Sequence, residues 1–213
     1  MICSSGFFRL ATAGTVALSA DTVRAIAAGV TPDTARLAAA FGGALVTIRP
    51  SPANPHWGGP TTVLNVGMTG AKHAEIAEVH GRAYADALYL GFVQSYAIHV
   101  ARLDPDVFDG LKPGPGALRD ALREYEVETD EPFPQDPAQQ LSEVLRSMAR
   151  AWEGTSARLL RQAKGAPEEA ALGLVVQEMA QGIGQGISGS GVIQFVDPVT
   201  GQPQITGRYL GQS

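Results

Sequence analysis

Cysteine occurs once, at Cys3, so no internal disulfide can form; this fits a reducing compartment and leaves the core to hold the fold. Histidine is also scarce. His56, His73, His80 and His99 are scattered and lack the spacing of a zinc site. His73 and His80, a heptad apart, read as the solvated face of one helix. Positive charge is thin and dispersed. The 16 Lys and Arg residues form no run and are outnumbered by 21 Asp and Glu. A net charge of −5 and a pI near 5.3 argue against a nucleic-acid partner, which needs clustered cations. No apolar run is long enough to span a bilayer, so no membrane partner is expected. The first residues have an apolar middle, but no Lys or Arg precedes it and Arg9 interrupts it, unlike a secretory signal. The expected location is the cytoplasm.

What is there is an ordinary globular composition, 45% hydrophobic and 17% charged over 213 residues. That length suits one sizeable domain or two lobes sharing a cleft. The stretch LVTIRPSPANPHWGGPTTVLNVG, residues 45–67, organises the rest. A buried-looking strand over 44–48 delivers Arg49 to its end. A Pro- and Gly-rich loop over 50–60 follows, and order resumes at Thr62, Val63, Leu64 and Asn65. A cation at a strand end before a close-approach glycine loop is one way to hold a nucleotide phosphate. The plainer alternative is a solvated edge arginine before an ordinary loop.

Along the chain, residues 14–18 read as a strand. Asp21 is expected to cap a helix to about Ala28, and Thr31-Pro32-Asp33 to start a second that stops at Gly42-Gly43. Apolar residues recur at helical spacing over 71–103, with Gly81 and Gly91 as candidate breaks. Pro113 to Gly116 form a turn, 118–125 a surface helix, and 127–134 a polar linker. Asp136-Pro137 is a helix start, and Leu141, Val144, Leu145, Met148 and Trp152 form one buried stripe. Trp152 therefore reads as core. Residues 172–177, 192–196 and 204–210 read as strands. The glycine run 182–191 lacks the Lys-Ser/Thr of a Walker loop and reads as a flexible hairpin. The expected parts are 1–70 (strand, helices and phosphate-loop-like segment), 71–165 (helical lobe) and 166–213 (strands returning to the sheet).

In this order the segments resemble a known family. Arg49, Gly58, Thr62, Val63, Leu64, Asn65 and Gly67 fall, without a gap, on the signature of the N-terminal nucleotide-binding domain of pyruvate phosphate dikinase and phosphoenolpyruvate synthase. Phe92-Val93-Gln94-Ser95-Tyr96 resembles its F-I-Q-M-Y helix. Asp104 to Phe108 resembles D-P-E-x-F, and Phe133-Pro134-Gln135-Asp136-Pro137 with Gln140-Leu141 resembles F-P-Q-D-P-x-x-Q-L. Trp152, Val176-Gln177-Glu178-Met179, Ser188 to Val192, Asp197 to Gly201 and Gly207 to Leu210 follow in family order. The resemblance covers nearly the whole chain from about residue 15.

It implies an α+β, ATP-grasp-like partial nucleotide-binding domain, with a mixed sheet and a large helical lobe. The implied nucleotide-binding residues are Arg49, Gly58, Thr62, Gln177 and Met179. No catalytic residue and no metal ligand is expected, because no acceptor histidine and no magnesium carboxylate pair can be identified. The family's charged positions have also changed. Its aspartate is Thr61, its paired arginines are Leu90 and Gly91, two further arginines are Ser156 and Val196, and a glutamate is Arg208. Packing residues survive where charges do not. The expectation is a non-catalytic binding or regulatory protein with no required cofactor, ATP with magnesium being the ligand the family would bring. Self-association, or docking on a protein partner such as a full-length dikinase-like enzyme, is expected. The alternative is an ATP-binding kinase subunit completed by another chain.

Overall fold

The computed structural model describes residues 7–9 as backbone and 14–111, 114–180, 182, 187, 189–197 and 199–211 in full. Cys3 and half of the glycine run lie outside the described residues. So does Pro113 of the expected turn. The chain forms two units, Met1–Met179 and Ala180–Ser213.

The first unit is built on a five-stranded sheet with the order β1-β2-β5-β3-β4. The strands are β1 (Phe7–Arg9), β2 (Thr15–Leu18), β3 (Val46–Pro52), β4 (Val63–Val66) and β5 (Leu172–Glu178). As expected, the strands over 44–48 and 172–177 share this sheet. The sheet is antiparallel at every pairing, not mixed. The reason is the place of β5. β2 and β3 run the same way, joined by a helical crossover of the kind parallel strands need. β5 inserts between them from far along the chain and opposes both.

The helices are α1 (Ala20–Ala27), α2 (Thr34–Ala40), α3 (Gly70–His80), α4 (Arg82–Tyr96), α5 (Ala117–Thr129), α6 (Pro137–Glu153) and α7 (Thr155–Ala163), and α1, α4 and α6 pack against the sheet. Their starts follow from short polar side chains that accept from first-turn amides. Asp136 caps α6 ahead of Pro137, as expected. α1 is capped by Ser19, which accepts from Thr22 N, while Asp21 sits inside the first turn. Gly81, at φ 90°, separates α3 from α4. Gly91 stays within α4, where an interior glycine costs only about 1 kcal/mol.

The core follows from these faces. Val16, Leu18, Ile48, Leu174 and Val176 point from the sheet toward Val23 and Ile26 of α1 and the expected stripe of α6. Trp152 is core, and its Nε1 donates to Ala170 O at 3.1 Å. In the same core Tyr89, Phe92, Tyr96, Tyr125 and Phe133 gather edge-on or tilted, geometry favoured by ring quadrupoles. The Tyr96 hydroxyl donates to the Glu143 carboxylate.

The second unit holds β6 (Gly189–Val196) and β7 (Pro203–Gly211), which pair with each other as an antiparallel two-stranded sheet. Of the three expected C-terminal strands, only β5 joins the five-stranded sheet.

Candidate functional site

β3 alternates its side chains across the sheet. Val46, Ile48 and Pro50 face the core, so Thr47, Arg49 and Ser51 face the other side. β5 pairs Arg49 with Val175 and Thr47 with Gln177. Arg49 and Gln177 are thus diagonal neighbours on one face. Arg49 Nη2 donates to Gln177 Oε1 at 2.7 Å, and the arginine is exposed. Two residues on, Met179 Sδ accepts from Asn65 N at 3.1 Å. Asn65 is in the left-handed region, φ 59°, which Asn tolerates better than most residues. Its Oδ1 is buried without a partner. Arg49, Gln177 and Met179 therefore converge with the Asn65 end of β4.

Gly58 does not join them. It closes the short 3₁₀ turn Pro55–Trp57 at φ 81°, ψ −163°, a conformation nearly confined to glycine. A Cβ there would stand 3.6 Å from Lys164 Nζ, and one on neighbouring Gly59 would meet Trp152 and Pro50. Pro50 and Trp152 belong to the core side of the sheet. The loop thus turns away from the Arg49 face. Thr62 is half-buried just before β4 and outside the lining of the cavity described next.

That cavity, of about 360 Å³, lies between the loop 57–61, α6 and α7. A π-helical turn, Ala97–Ala101, borders it and ends at Arg102 in the left-handed region, φ 65°. Such turns are frequent at functional sites. Arg102 Nη2 donates to Ser147 O at 3.3 Å and Oγ at 2.9 Å. Ser147 Oγ donates in turn to His99 O at 2.6 Å. Burial, and then the nearby Arg102 charge, hold the His99 imidazole below its usual pKa. Arg161 is buried, with its Cζ 3.7 Å from the centroid of the Trp152 ring and its Nη1 donating to Trp152 O at 2.6 Å. Its Nε has no partner. Burial pushes its pKa down, a trend partly offset by Glu153, though a guanidinium stays charged in proteins.

The sequence reading missed this cavity and also the role of Gln140. Gln140 is fully buried. It accepts from Gly67 N at 2.8 Å and donates to Met68 O at 2.9 Å and Pro134 O at 2.7 Å. Gln135 makes the companion tie, accepting from Gly70 N and donating to Tyr89 Oη and Phe133 O. The F-P-Q-D-P-x-x-Q-L segment is therefore a clasp that fixes the chain after β4. The signal was present: Gln140 lies four residues before Val144, on the buried stripe. Nothing comparable marked Arg161, whose partner lies nine residues back across the Gly154 break.

No family model matches the chain. It is 27% identical over 186 residues to pyruvate, phosphate dikinase of Clostridium symbiosum, a match covering 78% of this chain and 21% of that protein. It is 26% identical over 184 residues to the chloroplastic pyruvate, phosphate dikinase 1 of Zea mays, covering 78% and 19%. It is 28% identical over 187 residues to the pyruvate, phosphate dikinase of Entamoeba histolytica, covering 78% and 21%. The chain spans about a fifth of the length of the curated relatives it matches. It is thus a divergent relative of one part of pyruvate phosphate dikinase.

Proposed function

We propose, from that similarity, that the chain is a dikinase-like nucleotide-binding domain that binds without transferring phosphate and acts as a binding or regulatory protein. One observation carries this: Arg49, at the family arginine position, is exposed and paired with Gln177 on the sheet face away from the core. A guanidinium there can release Gln177 and take two phosphate oxygens in its place. The Gln177–Met179 segment then lies toward the base. Gly58 has no part in this arrangement. Among the described residues no group of three His, Cys, Asp or Glu side chains gathers that could hold a metal ion. The exchanged charges at Thr61, Leu90, Gly91 and Ser156 support binding over transfer, since each preorganised contact contributes about 3 kcal/mol to a transition state.

Calorimetric titration with ATP, with and without magnesium, tests the reading. Binding is expected, weakened at least tenfold by Arg49→Ala, with no ATP turnover in the same sample. Absence of binding, or turnover abolished by Arg49→Ala, overturns it. Retention of Arg49 and Gln177 favours a second reading, a kinase subunit completed by another chain. Light scattering of the protein alone and mixed with a dikinase-like enzyme, with and without magnesium-ATP, separates the two. A regulatory protein associates without gaining turnover, whereas a subunit gains it.

A further inference from the structure

We propose that the cavity between α6, α7 and the loop after β3 binds a small organic phosphate, at a site separate from the sheet face that carries Arg49. Arg102, Arg161, Lys164 and the half-buried His99 line it, and among the described residues no carboxylate does. This concentration of cations occurs in a chain of net charge −5. Three like charges around one space repel, and an anion among them relieves that repulsion. The second, independent sign is Arg161. It is 5% exposed, and its Nε is a buried donor without an acceptor. Such a donor is costly to leave unmade, and Arg161 lines the cavity, where an anion offsets the charge that burial strands. Glu153, the acid whose field reaches Arg161, does not line the cavity.

Each cation is already placed for the purpose. The π-helical turn and the left-handed backbone at Arg102 hold its guanidinium at Ser147. Trp152 fixes the plane of Arg161 from below. The Lys164 ammonium stands beside Gly58, 3.6 Å from where a Cβ would lie. Planar guanidinium forks match phosphate oxygens, and an ammonium adds a mobile point charge. Trp57, Val100, Met148 and Leu160 supply an apolar wall. The ligand therefore carries a carbon body as well as a phosphate. A volume of about 360 Å³ suits a ligand of that size.

Both tryptophans of the chain, Trp57 and Trp152, line the cavity, so intrinsic fluorescence reports on it directly. The full-length chain is titrated at constant ionic strength with inorganic phosphate and with phenyl phosphate. A saturable change is expected for both, with phenyl phosphate binding more tightly. Lys164→Met and Arg102→Gln should each weaken binding about tenfold, the loss of one charge-assisted hydrogen bond. Arg119→Gln, which removes an exposed charge on α5, should leave it unchanged. Thermal melts confirm that the variants are folded. Three results overturn the proposal: no saturable change, phenyl phosphate binding no better than phosphate, or Arg119→Gln weakening binding as much as Lys164→Met.

Discussion

Gln140 shows how one polar side chain can hold a fold that its apolar neighbours only fill. Replacing it with Leu keeps most of the volume on the buried stripe. It also strands Gly67 N, Met68 O and Pro134 O, all three of which Gln140 now satisfies. Each buried polar group left without a partner costs about 1–3 kcal/mol. Gln140→Leu should therefore lower stability by about 3 kcal/mol or more, read as a drop in the urea midpoint at unchanged slope. Titration supplies a second prediction at this scale. Burial, then Glu143 and Glu131, push the Tyr125 phenol up to about 12 from 10.0. Burial and the Glu143 bond push Tyr96 higher still. Both folded values lie above the unfolded one, so their contribution is complete below pH 10 and is lost as pH rises through the folded values. Denaturant unfolding between pH 8 and 12 should show stability falling from about pH 10, with Tyr125→Phe removing part of the fall.

Among the elements, the loop from Asn54 to Gly59 is the most demanding of its sequence. The Asn54 side chain accepts from His56 N, and Pro55 opens the 3₁₀ turn. Gly58 then adopts φ 81°, ψ −163°. An alanine there meets backbone strain of about 1–3 kcal/mol and brings its methyl toward Lys164. Gly58→Ala should lower the melting temperature and weaken phenyl phosphate binding, while ATP binding at the Arg49 face stays as it was. Unchanged stability would show that the loop takes other conformations at little cost. The elements differ in how plainly the sequence announced them. α6 was readable because its cap, proline and stripe recur within one helix, so local chemistry and burial agree. The cap of α1 was misread by two residues, since Ser19 and Asp21 are both competent and only the backbone angle decides. The antiparallel order was not readable. β5 lies more than a hundred residues from its partners, and its insertion between β2 and β3 is a fact of packing. Arg49 and Gln177 were named together through the family resemblance, and the register explains why their side chains meet. Gly58 was read with them, but the core-side turn of its loop places it elsewhere. The cavity went unread because its cations come from segments that only α7 and the π-helical turn bring together.

For the whole molecule, the decisive fact is where the core ends. Every residue of the hydrophobic cluster, from Val16 to Val176, belongs to the first unit, and Met179 packs against it from the last position of that unit. The second unit pairs β6 with β7 and exposes Val192, Ile193, Phe195, Ile205 and Leu210. A two-stranded ribbon is at best marginally stable alone, because it buries too little apolar area to offset the entropy of ordering it. The two units should therefore behave unequally when separated. A chain ending after Met179 keeps all five strands of the first sheet, the Gln140 clasp, the Arg49–Gln177 pair and both tryptophans. It should unfold in urea as one cooperative transition, with stability within about 0.5 kcal/mol of the full chain, the range of changes that leave a core untouched. Its tryptophan fluorescence should respond to phenyl phosphate as the full chain does. A peptide of residues 180–213 should show no cooperative transition by circular dichroism. A fragment 1–179 that is molten, or that loses several kcal/mol, would mean that the second unit contributes to the stability of the first.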